Sequence, residues 1–213
     1  MKSHVTLLLA AALCVTSPGR VAADEEPAQA AAVPAKVAGT QDALRDLWIG
    51  HIFWVRNVVV ARLADDDEQA QAAEQQVVAN AQAIAGAIEP FYGAAASDRL
   101  FELLAGHWGA ISDYLDATIA GRNGKQDDAA DRLSANARDI AAFLSGANPN
   151  WPEETLIALL TTHGAHHVQQ IEQLHAGQHE EEAATWAAMK DHMYVIADAL
   201  TAGLAKQFPE KFE

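Results

Sequence analysis

The feature that most constrains this chain is a repeat of 56 residues. His51, His107 and His163 recur at that interval, and each is followed 29 residues later by a second polar residue, Asn80, Asn136 or His192. The surroundings repeat as well. Leu44, Leu47 and His51 align with Leu100, Leu103 and His107, and then with Leu156, Leu159 and His163. In the second halves, Val77, Asn80, Ile84 and Ile88 align with Leu133, Asn136, Ile140 and Leu144, and then with Met189, His192, Ile196 and Leu200. Steps of three and four put all four residues of each set on one helical face. A period of this length marks one supersecondary unit copied in series.

Residues 1–23 read as a secretory signal peptide. Met1 and Lys2 precede an apolar run that ends in Val21, Ala22 and Ala23, small residues of the kind a signal peptidase reads. The expected location is therefore periplasmic or extracellular. The one cysteine, Cys14, lies inside this leader, so the mature chain has neither a disulfide nor a thiolate metal ligand. The net charge of −15 becomes more negative once Lys2 and Arg20 are removed, which speaks against nucleic acid and anionic lipid as partners. Residues 24–39, with two prolines and few large apolar side chains, read as a flexible tether. Membrane insertion is not expected, since no later apolar run reaches spanning length.

From residue 40 to 213 the chain reads as a single all-α domain, with repeats at about 41–96, 97–152 and 153–208. Apolar spacing predicts six helices, over roughly 41–64, 67–89, 98–120, 127–145, 152–176 and 180–207, with Thr40, Ser97 and Asn150 as caps. Short connections between long helices predict a six-helix antiparallel bundle made of three tandem helical hairpins. The midpoints of the three polar pairs fall within residues 65–67, within 121–124 and beside Gly177, which are the expected turns. Hairpin partners then face each other, and if the hairpins stand side by side with their turns at the same end, six polar side chains form one layer across an aliphatic bundle. A closed bundle would bring His51, His107 and His163 together, whereas an open array would leave only hairpin partners close.

A buried imidazole or amide costs roughly 1–3 kcal/mol if unpaired, so such a layer calls for internal hydrogen bonds, water, or a bound ion or ligand. Neutral imidazoles from different helices suit zinc, copper, nickel or iron. The candidate ligands are His51, His107, His163 and His192, with His167 one turn from His163 on the same face. Asn80 and Asn136 are candidates for orienting the imidazoles or for completing the polar layer. This reading makes the protein an exported transition-metal binder serving storage, sequestration or sensing. The alternative is a ligand-sensing or adaptor bundle in which the His/Asn layer is purely structural, since core asparagines fix helix register. A haem or other organic ligand, or an enzyme using one histidine as general base beside an open cavity, are further readings.

Residue types exclude several familiar chemistries. A carboxylate-bridged di-iron bundle needs Glu-x-x-His pairs, but Trp48, Leu104 and Leu160 stand three residues before the three histidines. No His-Glu-x-x-His, nucleophile elbow or phosphate loop is present, so catalysis is not indicated. Arg56 and Trp54 are candidates for an anion or partner contact, because an arginine this deep in the first helix needs an acceptor such as an anion or a carboxylate across the bundle. His175 and His179 beside the acidic run 180–182 read as a solvated corner. That run, with those at 65–68 and 127–128, suits the positive ends of helix dipoles.

The string LWIGHIFWVRN at 47–57, together with Asn80, PFYG at 90–93, ANPNWP at 147–152 and QFPEKF at 207–212, resembles a family of uncharacterised exported bacterial helical-bundle proteins with a Leu-Trp-x-x-His-x-x-Trp-x-Arg opening. The likeness covers nearly the whole mature domain. It implies an exported all-helical domain in which His51, Trp54, Arg56, Asn80, His107, Asn136, His163 and His192 occupy motif positions. The His166-His167 pair departs from that pattern, as does Ala83, which stands where an acid is expected.

Overall fold

The computed structural model describes residues 34–213. The leader and most of the tether read from the sequence lie outside the described residues. Six long helices and one short one follow in order, with no strand among the described residues. They are α1 (Ala35–Leu63), α2 (Asp67–Gly86), the one-turn α3 (Glu89–Tyr92), α4 (Ala94–Ile119), α5 (Asn123–Ala147), α6 (Glu153–His175) and α7 (His179–Gln207), and a 3-10 turn (Pro209–Lys211) closes the chain. No described helix is long and apolar enough to cross a membrane.

Helix starts differ from those expected because side chains found other partners. α1 begins at Ala35, within the stretch read as tether, and Val37 packs against the core. Thr40 therefore lies inside α1, donating its hydroxyl to the Lys36 carbonyl at 3.0 Å. Ser97 lies inside α4, which starts directly after Gly93 at φ 84°. Asn150 bonds to the Asn148 side chain instead of capping α6. The helix with a side-chain cap is α2, where Asp66 accepts from the Gln69 amide at 3.0 Å.

Three connections share one backbone solution at 56-residue intervals. Asp65, Gly121 and Gly177 take the left-handed conformation, at φ 55°, 63° and 71°. The next amide in each case reaches back five residues: Asp66 to Ala61 O at 3.0 Å, Arg122 to Ala117 O at 2.9 Å and Gln178 to Gln173 O at 2.8 Å. This pattern satisfies carbonyls that a helix end leaves without partners. Around the bundle, α1 packs on α2 and α7, α2 on α4, α4 on α5, α5 on α6 and α6 on α7, which closes a ring, and α6 also meets α1 and α4 across it.

Two apolar cores fill the ring. One contains Val55, Val58, Val59, Ala73, Ala129, Leu115 and Ile171, and lies on the side of the three left-handed connections. The other is larger and aromatic, with Trp48, Leu104, Leu160 and Trp151 buried and Phe91 and Phe208 packed against it. Along α1, α4 and α6 the histidines fall between the residues of the first core and those of the second.

Candidate metal centre

Three helices each bring one repeated histidine to the bundle axis, and α6 brings a second. His51 on α1, His107 on α4, and His163 and His167 on α6 are all buried, the last two 1% exposed. One ring nitrogen of each lies within 4.8 Å of the corresponding atom of every other. His163 Nε2 stands 3.3 Å from His51 Nε2 and 3.2 Å from His167 Nε2. The His107 ring stacks on His163 with centroids 5.5 Å apart, and Trp48 meets His51 and His163 edge-on at 6.1 Å each.

The hydrogen bonding of this group does not close. His163 Nε2 has two nitrogen neighbours, yet one ring nitrogen either donates one proton or accepts one. Neither nitrogen of His107 makes a hydrogen bond of regular geometry, although the Asn136 side chain lies near enough to oppose the fall in its basicity, and His163 Nδ1, His167 Nδ1, Asn80 Oδ1 and Trp48 Nε1 are unpartnered within the protein. Each such atom costs roughly 1–3 kcal/mol. Four nitrogens around one ion at about 2.0–2.1 Å would stand about 3.3–3.4 Å apart at tetrahedral corners, close to the two Nε2 separations. The donor set therefore fits a transition ion. Hard cations such as magnesium or calcium, which take oxygen ligands, are not served by it.

Burial keeps these rings neutral and ready to ligate. It pushes His51 down to about 3, with the neighbouring His107 adding to the shift, and His107 down to about 4. For His163 and His167, burial and the adjacent imidazoles hold the rings well below the usual histidine range. A base this weak has little driving force for taking a proton at neutral pH, which weighs against the general-base reading.

His192 stands apart from the four. Its Nε2 lies 2.8 Å from the Leu159 carbonyl. Asn80 Nδ2 donates to Leu47 O at 3.0 Å and Asn136 Nδ2 to Leu103 O at 2.9 Å, each across the same 33-residue interval. The second polar residue of each copy is thus tied to a neighbouring backbone. His166, next in sequence to His167, faces His192 with ring centroids 5.5 Å apart. Gly50 and Gly106 make room for the asparagines, since a Cβ there would meet Asn80 Nδ2 at 3.0 Å and Asn136 Nδ2 at 3.3 Å.

Arg56 has found the acceptor its depth requires. Its Nε and one terminal nitrogen donate to the two carboxylate oxygens of Glu182 on α7, at 2.7 and 2.8 Å. The fork is filled from within, so the acceptor is a carboxylate across the bundle. Gln170 donates to the same carboxylate at 2.8 Å, and the Trp186 ring lies 5.8 Å from the guanidinium. These donors hold Glu182 below the usual carboxylate range, with Arg56 the largest influence. Sequence reasoning missed Glu182 by assigning its run to the helix dipole. Its spacing of seven from Met189 and fourteen from Ile196, both buried on α7, was the available signal. Trp54 is half-buried, pairs edge-on with Phe53 at 5.0 Å and packs beside the smaller core. His175 and His179 are exposed near the α6–α7 connection.

An internal cavity of about 50 Å³ adjoins the cluster within the larger core. That is too small for a haem or a drug-sized ligand, whose sites run to roughly 300 Å³ and above. Compared with protein-family models, curated proteins and solved structures, the chain matches none.

Proposed function

We propose that this protein binds one transition-metal ion, zinc, copper, nickel or iron, through His51, His107, His163 and His167, and serves in storage, sequestration or sensing of that ion outside the cytoplasm. The observation that carries this reading is the convergence of four buried imidazoles, one ring nitrogen of each within 4.8 Å of the others. Several buried polar atoms around the cluster have no partner within the protein, which leaves them free to meet an ion or to support its ligands. Asn80 and Asn136 then act from outside the ligand set, with Oδ1 atoms free to accept from ring N–H groups.

The arrangement as three tandem antiparallel hairpins belongs to the same reading. Its support is the set of 56-residue equivalences: three left-handed connections, three bonds from residues 80, 136 and 192 to carbonyls 33 residues earlier, and three histidines sent to one axis. Export rests on the signal-like residues 1–23 and on the family resemblance of the motifs.

The test is metal content by mass spectrometry of the mature protein purified without a histidine tag, followed by titration of zinc, copper and nickel into the metal-free form. One ion per chain is expected, lost in His107→Leu and His163→Leu and retained in His192→Leu. Binding no tighter than roughly micromolar, about −8 kcal/mol, would make the layer structural.

A further inference from the structure

The cavity beside the histidines is in the wrong place for mere loose packing. Its wall takes in three of the four rings, His51, His107 and His163, and not His167, so it meets the cluster from one side. The rest of the wall is apolar, running past Trp48 and Leu104 to Trp151. Beyond the imidazoles the one unpartnered buried polar atom among these residues is the Trp48 Nε1 donor, so a charged or strongly hydrogen-bonding guest entering this space would find too few partners. A water needs about 10–15 Å³ and two to four polar partners, and apolar cavities stay dry and accept xenon or small hydrocarbons instead. At about 50 Å³ the space admits a molecule of a few heavy atoms.

We infer that the cavity is a pocket for a small uncharged molecule of diatomic size, such as dioxygen, carbon monoxide or nitric oxide, which reaches the ion through the face formed by His51, His107 and His163. This rests on the metal reading above and narrows it. Four imidazoles alone would complete a tetrahedral set, so such a molecule would reach the ion as a fifth ligand, on the face that the cavity meets. His167 anchors the ion from the side the cavity does not touch.

Helix α2 gives the means to test it, because Ala81 and Ile84 line the cavity while α2 carries none of the four histidines. Xenon binding to the metal-free protein is measured by ¹²⁹Xe NMR. The C–O stretch of carbon monoxide on the copper(I)-loaded protein is measured by infrared spectroscopy. Both are repeated in Ala81→Leu and in Ile84→Phe, so that one misfolded variant does not end the test. The expected result is a single xenon site weakened at least tenfold in the filled variants, with the carbon monoxide band lost or shifted while one ion per chain is retained. Metal binding without xenon binding overturns this inference alone. A carbon monoxide band indifferent to both substitutions overturns it too, since the ligand then arrives by another face. Xenon binding without any metal removes the metal reading, and this one with it.

Discussion

On the side of the three left-handed connections the core is built from small and branched residues, Val55, Val58, Ala73 and Ala129 among them. On the other side it takes Trp48 and Trp151, recruits Phe91, Phe208 and Phe212, and still encloses a cavity. The difference follows the repeat. Connections at Asp65, Gly121 and Gly177 close alike, and between helices held by identical turns the core is mostly Val, Ala, Ile and Leu, with Tyr114 its one buried aromatic. The remaining links are unlike one another: α3 between α2 and α4, residues 148–152 between α5 and α6, and the terminal turn after α7. Bulky residues outside the repeat fill that side, and the histidines mark where one regime meets the other.

The largest expected effect removes the boundary itself. The unfolded chain takes up protons on these four rings below about pH 6.5, whereas folded His51 and His107 resist until about 3 and about 4. Stability is therefore complete above about 6.5 and falls with pH through that window, by about 1.4 kcal/mol per pH unit for each ring. The metal-free protein should lose both cores together between about pH 4 and 6, as read by circular dichroism, while the metal-loaded form persists to lower pH. A metal-free fold intact at pH 3.5 would show that the rings are not held neutral.

Next comes a break confined to the aromatic side. A Cβ at Gly203 would lie 1.9 Å from Trp151 Nε1, and Trp151 is 2% exposed and held toward the Ala199 and Leu200 carbonyls. Gly203→Ala should cost about 3 kcal/mol in urea unfolding. Gly109→Ala, at a helical position with open space around it, should gain about 0.5–1 kcal/mol. Equal costs at the two sites would mean that Trp151 can move aside.

The smallest effect sharpens the other side. Asp65 is the one non-glycine in the left-handed position of the three equivalent connections. Asp65→Gly should therefore stabilise by about 0.5–1 kcal/mol, and Gly121→Ala should cost about 1 kcal/mol. Unfolding curves that do not separate these variants would deny the connections their shared role.

How much of this was legible in the sequence depended on what fixed each residue. The helices were, because apolar spacing and glycine punctuation follow from helical geometry alone. Their starts were less so. Thr40 and Asn150 could bond within a helix or to each other's kind of side chain, and nothing local chose between those partners and a cap. The repeat made the convergence of His51, His107 and His163 possible without deciding between a closed bundle and an open array, and the closed ring of helices brings them together. The fourth member of the cluster did not follow from the repeat, because symmetry pointed to His192 and the structure ties that ring to Leu159 O, while His167, read from its one-turn spacing, lies against His163. The Arg56 pairing needed a side-chain partner 126 residues away, beyond the reach of any local pattern.

Each copy of the repeat sends one ring to the axis, and only the third adds another. No single copy, and no pair of copies, holds the four-histidine set. A chain short of its third unit therefore brings together at most His51 and His107, without the two rings of α6. The cluster is a property of the closed ring and of no part of it, and a cut between repeats would remove at least one of its members from the piece that carries the rest.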